Sequence, residues 1–274
     1  MNKKLKIVLK YASVIILLLI IFLPFYWILI SSLKPTHEIL SPIPTFFPEE
    51  FTLMHYESLL QTTQFNLFLR NSFFVSLMTT LVTIVLATAA GYSIHRCNYP
   101  FRKAVFFAIL SIYIFPRVLL IIPLYRVMVA LRLINTLWSL VLINVAICAP
   151  FSVWLLRSFF NSIPEAIEDA ASIDGANKLQ ILYKVFLPLA KPGIATIAIF
   201  TFLFSWTEYL FSTMFIHSES LQTLPVGVSR FITQYQIDWG LVNSASIATA
   251  LPPLIVFALV GRYFVEGLTK GAVR

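Results

Sequence analysis

Few side chains in this sequence are arranged for chemistry, and most of them lie in one short stretch. Ile163-Pro-Glu-Ala-Ile-Glu-Asp-Ala-Ala-Ser-Ile-Asp-Gly175 carries Glu165, Glu168, Asp169 and Asp174 within ten positions, between long apolar runs. Four acids this close can bind a cation, cap a helix or meet a basic partner. Three further groups stand alone inside apolar runs: Arg117, Asn144 and Glu208. Ionisable groups inside apolar spans are rare and face protein, water or a solute path. An intramembrane enzyme would need paired acids or His/Asp groupings there, and Glu208 is the one deep acid. Cys97 and Cys148 have no CxxC or His/Cys neighbours, so neither a disulfide framework nor a metal site is expected. No catalytic residue is assigned.

The elements that position these groups follow from composition. The chain has 274 residues, 59% of them hydrophobic and 12% charged, with a mean hydropathy of +0.86. Soluble domains carry about 25% charged residues. At roughly 20 residues per span, the length suits an all-α, polytopic membrane protein of six transmembrane helices. The expected spans are about 11–33, 71–95, 104–127, 137–159, 193–216 and 244–264, in one transmembrane domain 1–274. The first run is too long for a cleaved signal, so it is read as an uncleaved span. No internal repeat and no broken mid-span helix is legible.

Net charge is +8. Most of the 20 lysines and arginines fall on the side of the N-terminus, leaving Lys34, Arg70, Arg117, Arg126, Arg132 and Arg230 toward the other side. Basic residues collect on the cytoplasmic side of membrane proteins. The distribution therefore predicts a multi-pass protein with both termini and the acidic stretch in the cytoplasm. It explains the positive charge without nucleic acid as a partner. The loops 34–69 and 217–243 are expected outside.

Within the acidic stretch, Ser162 is a candidate N-cap, Pro164 suits a first helical turn and Glu165 a capping box. Glu165, Glu168 and Asp169 favour the N-terminal half of a short helix. Ala166, Ala170 and Ala171 let a partner backbone approach, and Gly175 accepts the left-handed conformation that ends helices. A second helix is expected over 178–186, ending at Leu187-Pro188. The whole is a helix-turn-helix of about 162–188. As plain physics it is either a docking surface or an amphipathic connector.

At 1.5 Å per residue, Glu208 lies roughly 22 Å, and Arg117 roughly 20 Å, from the inner ends of their spans; Asn144 lies roughly 10 Å from its outer end. All three fall in one layer, beside Trp206 and Tyr209. They are candidates for a solute path, where aromatic faces suit a sugar ring. The alternative is that Arg117 and Glu208 only neutralise each other between packed helices. Pro116, Pro123, Pro150, Pro252 and Pro253 permit kinks within spans.

Ile163 to Ala176, followed by Leu187-Pro-Leu-Ala-Lys-Pro192, closely resembles the EAA signature of ABC importer permeases, in the form of the carbohydrate, maltose-type subgroup. Pro24-Phe-Tyr-Trp27, Ser31-Ser-Leu-Lys-Pro35, Asn71-Ser72, Gly91-Tyr92, Ile122-Pro-Leu-Tyr125, Pro150-Phe151, Trp206-Thr-Glu-Tyr209 and Gly267-Leu-Thr-Lys-Gly-Ala-Val273 match as well. The resemblance implies a type I ABC importer permease in a bacterial or archaeal cytoplasmic membrane. Glu165, Glu168, Asp169, Ala170, Ala171, Asp174 and Gly175 would then dock on a cytoplasmic ABC ATPase dimer. It also implies a second permease subunit, expected to be a different chain, and an extracytoplasmic solute-binding protein. The chain has no Gly-x-x-x-x-Gly-Lys-Ser/Thr loop to cradle phosphates. It is therefore expected to bind no cofactor, with ATP and Mg used by the partner. Two positions depart from the signature: Asp169 stands for its central Glu, and Thr207 stands where the subgroup more often has Asn. The weighed alternatives are a permease for a non-sugar solute such as a polyamine, and an ion-coupled secondary transporter.

Overall fold

The computed structural model describes residues 3–232 and 237–272, with side chains over 7–232 and 237–262. The side chains of the matching C-terminal segment from Gly267 lie outside the described residues. The described chain is helical: α1 (Lys3–Ser31), α2 (Thr36–Ile39), α3 (Met54–Gln61), α4 (Phe65–Arg96), α5 (Arg102–Ser111), α6 (Ile121–Ala130), α7 (Leu137–Asn161), α8 (Glu165–Ile173), α9 (Lys178–Ile181), α10 (Leu187–Leu189), α11 (Lys191–Trp206), α12 (Leu210–Phe215), α13 (Leu224–Ser229) and α14 (Trp239–Ala272). Four helices are long and apolar enough to cross a membrane, or up to six elements if each of two bent pairs forms one span. The chain divides into two compact units, 1–66 with 227–251 and 67–226 with 252–274.

In the first unit, α1 opens with Lys3, Lys4, Lys6 and Lys10 and is apolar from Tyr11 onward, and none of its most apolar stretch is buried. Such a helix needs lipid or another chain around it. Beyond its end the chain folds around a buried cation. The Lys34 ammonium lies 3.4 Å from Glu38, with both side chains nearly inaccessible. It also donates to the backbone carbonyl and hydroxyl of Thr45. Thr45 donates to Glu38 in turn, and Glu38 accepts from the Glu49 N–H. His55 Nε2 donates to the Lys34 carbonyl at 2.9 Å. Gly240 passes so close to His55 that an added Cβ would lie 2.1–2.6 Å from the ring. A cavity of about 400 Å³ is lined by Trp27 of α1, by Lys34, Glu38 and Pro44 beyond it, and by Trp239 and Asn243 of α14.

In the second unit, α7 is the central helix, with Leu140, Ile143, Leu156 and Phe160 fully buried. One apolar cluster joins Tyr92, Leu156, Phe160, Ile181 and Phe186 at the end of α7 next to the acidic stretch. Another joins Val75, Met128, Leu140, Phe211 and Phe215 toward the opposite end. Asn71 donates to the carbonyls of Ser220 and Gln222, and Ser72 accepts from the Leu224 N–H. These bonds tie the loop after α12 to the start of α4.

The third and fifth expected spans are not single helices. Over 104–127, α5 runs into a 3-10 turn and stops at Phe115. That residue and Pro116 are both extended (ψ 132° and 128°), and the two arms are bent by 104°. The Pro116 ring drives the preceding residue out of the α region, so the proline breaks the helix instead of kinking it. Pro123 falls in the first turn of α6, where its missing N–H costs little. Over 193–216, α11 stops at Trp206, and Thr207 to Tyr209 are unwound before α12. The Thr207 hydroxyl bonds back to the Leu203 carbonyl. Glu208 takes the Phe211 and Ser212 N–H groups for its own carboxylate, at 2.7 and 2.9 Å. Side chains that compete for backbone groups end helices. Broken spans, whose absence was to separate this chain from ion-coupled transporters, are therefore present.

Candidate coupling hairpin and solute path

The acidic stretch forms a hairpin on the surface of the second unit. Ser162 is not its cap. It closes α7 instead, its hydroxyl donating back to the Phe159 carbonyl at 2.7 Å. The residue preceding α8 is Pro164, in an extended conformation (ψ 139°) that aims the chain into the first turn. At the other end, Gly175 has φ +83°. Its N–H bonds the Ser172 carbonyl and the Ala176 N–H bonds the Ala171 carbonyl. That is the Schellman pattern, in which a left-handed residue satisfies the last carbonyls of a helix.

The second arm is opened by Asn177, in a reciprocal capping box with Gln180, both bonds 2.9 Å. The Asn-x-x-Gln spacing is the signal in the sequence for this helix start. This arm runs through Leu187-Pro188 and ends at Leu189, where the chain bends by 77° into α11. Within it, Leu182–Phe186 form a π turn, closed by a Leu187 N–H to Leu182 carbonyl bond. Widening the turn absorbs the N–H that Pro188 lacks.

The hairpin is seated by a residue that sequence reasoning missed. Arg96, at the end of α4, forms ion pairs with Glu168 at 2.8 Å and Glu165 at 2.9 Å. It also donates to the Ile163 carbonyl at 3.3 Å, and its guanidinium lies 5.4 Å from the Phe186 ring. Tyr92 and Phe186 pack edge-to-face at 5.2 Å beneath it. Glu165 and Glu168 thus divide from Asp169: the first two are paired with Arg96, Glu168 half-buried and Glu165 from the surface, whereas Asp169, Ala170, Asp174 and Gly175 are exposed without that partner and Ala171 is half-buried. No residue of α8 is buried, and Ile173 on it is 86% exposed. A short helix with free apolar and acidic side chains, rigidly rooted at both ends, has the form of a docking element.

The three lone polar groups separate. Arg117 and Glu208 line one cavity of about 270 Å³ together with Phe204, Thr207, Tyr209, Leu210 and Phe211. Asn144 and Trp206 do not line it. Asn144 is buried in α7 and donates to Ser205 at 3.0 Å, and Ser205 reaches Thr79. Trp206 is 2% exposed and stacks on Phe202 at 5.5 Å. The break after Trp206 explains the difference, because Tyr209 leaves the helical register that put it beside the indole. Arg117 and Glu208 do not form an ion pair. The Arg117 guanidinium lies on the face of Phe204, 4.4 Å from the ring centroid, and Glu208 caps α12. Arginines within apolar spans face protein or water, and this cavity supplies such a lining for Arg117. Among the described residues no group of three or more His, Cys, Asp or Glu side chains could hold a metal ion.

A chain of membrane-crossing helices with a surface hairpin and a cavity at a helix break is a transport component. It belongs to the binding-protein-dependent transport system inner membrane components, whose family description matches residues 89–270. The inner membrane ABC transporter permease protein YcjP of Escherichia coli is 34% identical over 96% of this chain and 95% of its own. The sulfoquinovosyl glycerol transport system permease protein SmoH of Agrobacterium fabrum is 34% identical over 97% and 93%. In fold, the chain is similar to a chain of a bacterial ABC transporter involved in the import of the acidic polysaccharide alginate. The TM-score is 0.84 at 24% identity, over 96% of this chain and 99% of that one. Membership of this family, rather than unbroken spans, is what separates the chain from ion-coupled carriers. It is a permease component, not an enzyme.

Proposed function

We propose that this chain is one of two permease subunits in an ATP-driven importer of a sugar or glycoside, coupled through α8. The observation that carries the coupling role is the exposed face of α8, held between the Arg96 ion pairs and the Gly175 turn. Glu165 and Glu168 root the helix, while Asp169, Ala170, Ala171, Asp174 and Gly175 meet the ATPase. Closure of an ATPase dimer using ATP and Mg would push the hairpin, and Arg96 would pass that displacement to α4. The carbohydrate reading is supported by the maltose-type form of the signature and by the glycoside named for the 34% identical relative. The break at Thr207–Tyr209, with Arg117, Glu208 and Tyr209 around it, is the part of the solute path on this chain.

The remaining parts follow from the same reading. A second permease, a different chain, would cover the bare α1. An extracytoplasmic binding protein would meet the outer loop regions around Lys34 and Trp239. The excess of basic residues supports both termini lying in the cytoplasm.

The test is ATP-dependent uptake by the complete system in vesicles. Gly175→Pro forbids φ +83° and Asp169→Arg reverses the exposed charge. Each is expected to lower uptake at least tenfold at normal membrane levels. Gly175→Asn, which tolerates the left-handed region, is expected to retain most of it. Full uptake with Gly175→Pro or Asp169→Arg would exclude α8 as the coupling element.

A further inference from the structure

The cavity at the α11 break contains an imbalance of charge. Glu208 lines it, but both its oxygens are turned to the backbone N–H groups of Phe211 and Ser212. Its charge is met by the first turn of α12. Arg117 has no such partner. Among the described residues no carboxylate lies within 4 Å of its guanidinium and no hydrogen bond is made by it. It lies over the Phe204 ring and shares the cavity with the Glu208 carboxylate, whose oxygens are bonded elsewhere. The ring contact supplies no acceptor, so the guanidinium N–H donors stay open. Arg117 also lines a second cavity, of about 100 Å³, with Tyr113, Phe115 and Ile147. It therefore stands where two voids meet, immediately after the Phe115–Pro116 break. A stacked guanidinium with open donors matches a planar oxyanion in bidentate fashion.

We propose that the solute passing this chain carries a carboxylate, and that Arg117 is the residue that receives it. Tyr209, half exposed at the rim, and the Phe204 face would flank the attached ring. This rests on the sugar-import reading, and it narrows that reading to acidic glycosides. The cavity of about 270 Å³ falls just below the roughly 300–1,000 Å³ of small-molecule sites, so it suits one acidic residue of a glycoside with the second permease completing the site.

The experiment uses the complete transporter with its binding protein in proteoliposomes, and two probes of equal size: cellobiose and the aldobiouronic acid in which one glucose is glucuronic acid. Uptake of the acidic disaccharide is expected to exceed that of cellobiose at least tenfold. In Arg117→Gln it is expected to fall at least tenfold, with membrane level and co-purification of the partner subunits unchanged. Arg117→Lys keeps the charge without the planar fork and is expected to lie between. Preferred uptake of cellobiose, or acidic uptake within twofold of wild type in Arg117→Gln, overturns the role of Arg117 and leaves sugar import standing. Uptake of neither disaccharide, with ATP-dependent uptake of a non-sugar solute, overturns both.

Discussion

Arg96 Nε and Glu168 Oε2 lie 2.8 Å apart, joining the last turn of α4 to the first turn of α8. The arginine side chain is 11% exposed and the glutamate 19%, whereas Glu165, the other carboxylate on Arg96, is 84% exposed. A solvated pair contributes about 0–1 kcal/mol. Removing one partner of a buried pair costs about 3–5 kcal/mol, because the other charge is left without compensation. The Glu168 contact lies between these limits and outweighs the Glu165 one.

Arg96→Gln is therefore expected to loosen the seat of α8 by about 1–3 kcal/mol, and Glu165→Gln by less than about 1 kcal/mol. Hydrogen exchange over residues 165–173 in the assembled transporter measures the difference. Arg96→Gln should speed exchange there while leaving the centre of α7 protected. Equal exchange in both variants would show that Arg96 does not seat the helix.

Gly240→Ala tests the packing of the first unit around His55. A methyl group there meets the His55 ring at a distance no real Cβ adopts. The ring is held by its bond to the Lys34 carbonyl, so relief requires breaking that bond or moving α3. Overpacking of this kind costs about 1–3 kcal/mol. Proteolysis of the 41–53 segment should become faster in Gly240→Ala and return toward wild type when His55→Ala is added. No change in the single variant would refute the close packing.

The Lys34–Glu38 network is also expected to depend on pH. Burial alone would raise the Glu38 carboxyl, but hydrogen bonds from Thr45, from the Glu49 and Glu50 backbone and from Lys34 outweigh it and hold the group below its usual value. A carboxyl whose folded pKa lies below its unfolded one contributes its full stability above the unfolded value. That contribution is lost as pH falls through the folded one. The 34–56 segment should thus be resistant at neutral pH and become protease-sensitive only in acid, below the ordinary carboxylate range. Glu38→Gln should remove most of this dependence.

The parts of this fold that could be read in advance are those fixed by local chemistry. The apolar runs of α1, α4, α7 and α14 are long enough that nothing else accommodates them. Gly175 is recognisable because a left-handed residue is needed where a helix must stop. The misread positions each had two local solutions. Ser162 can bond forward as an N-cap or backward to Phe159, and packing of Phe160 into the core selected the second. Pro116 can kink a helix or end it. Glu208 can pair with an arginine or with backbone N–H groups, and the nearer donors at Phe211 and Ser212 won. Arg96 was illegible for a different reason: its partners lie on another helix, and no spacing within α4 announces them.

Asn144 provides the last prediction, because its burial argues against a place in the solute path. Its Nδ2 donates to Ser205, but its Oδ1 is buried without a partner. A buried acceptor left unsatisfied costs about 1–3 kcal/mol. An apolar side chain of similar volume removes both the bond and that unmet oxygen, so Asn144→Leu is expected to change stability by less than about 1 kcal/mol. Asn144→Ala removes the same groups and leaves a void against the packed face of α11, so it is expected to be the more damaging, by about 1–3 kcal/mol. Thermal unfolding of the purified transporter ranks the two. Uptake provides the second readout: Asn144→Leu should transport within about twofold of wild type if the amide only packs α7 against α11. A loss of uptake above tenfold at unchanged stability would instead return Asn144 to the path, with its free Oδ1 turning to the solute.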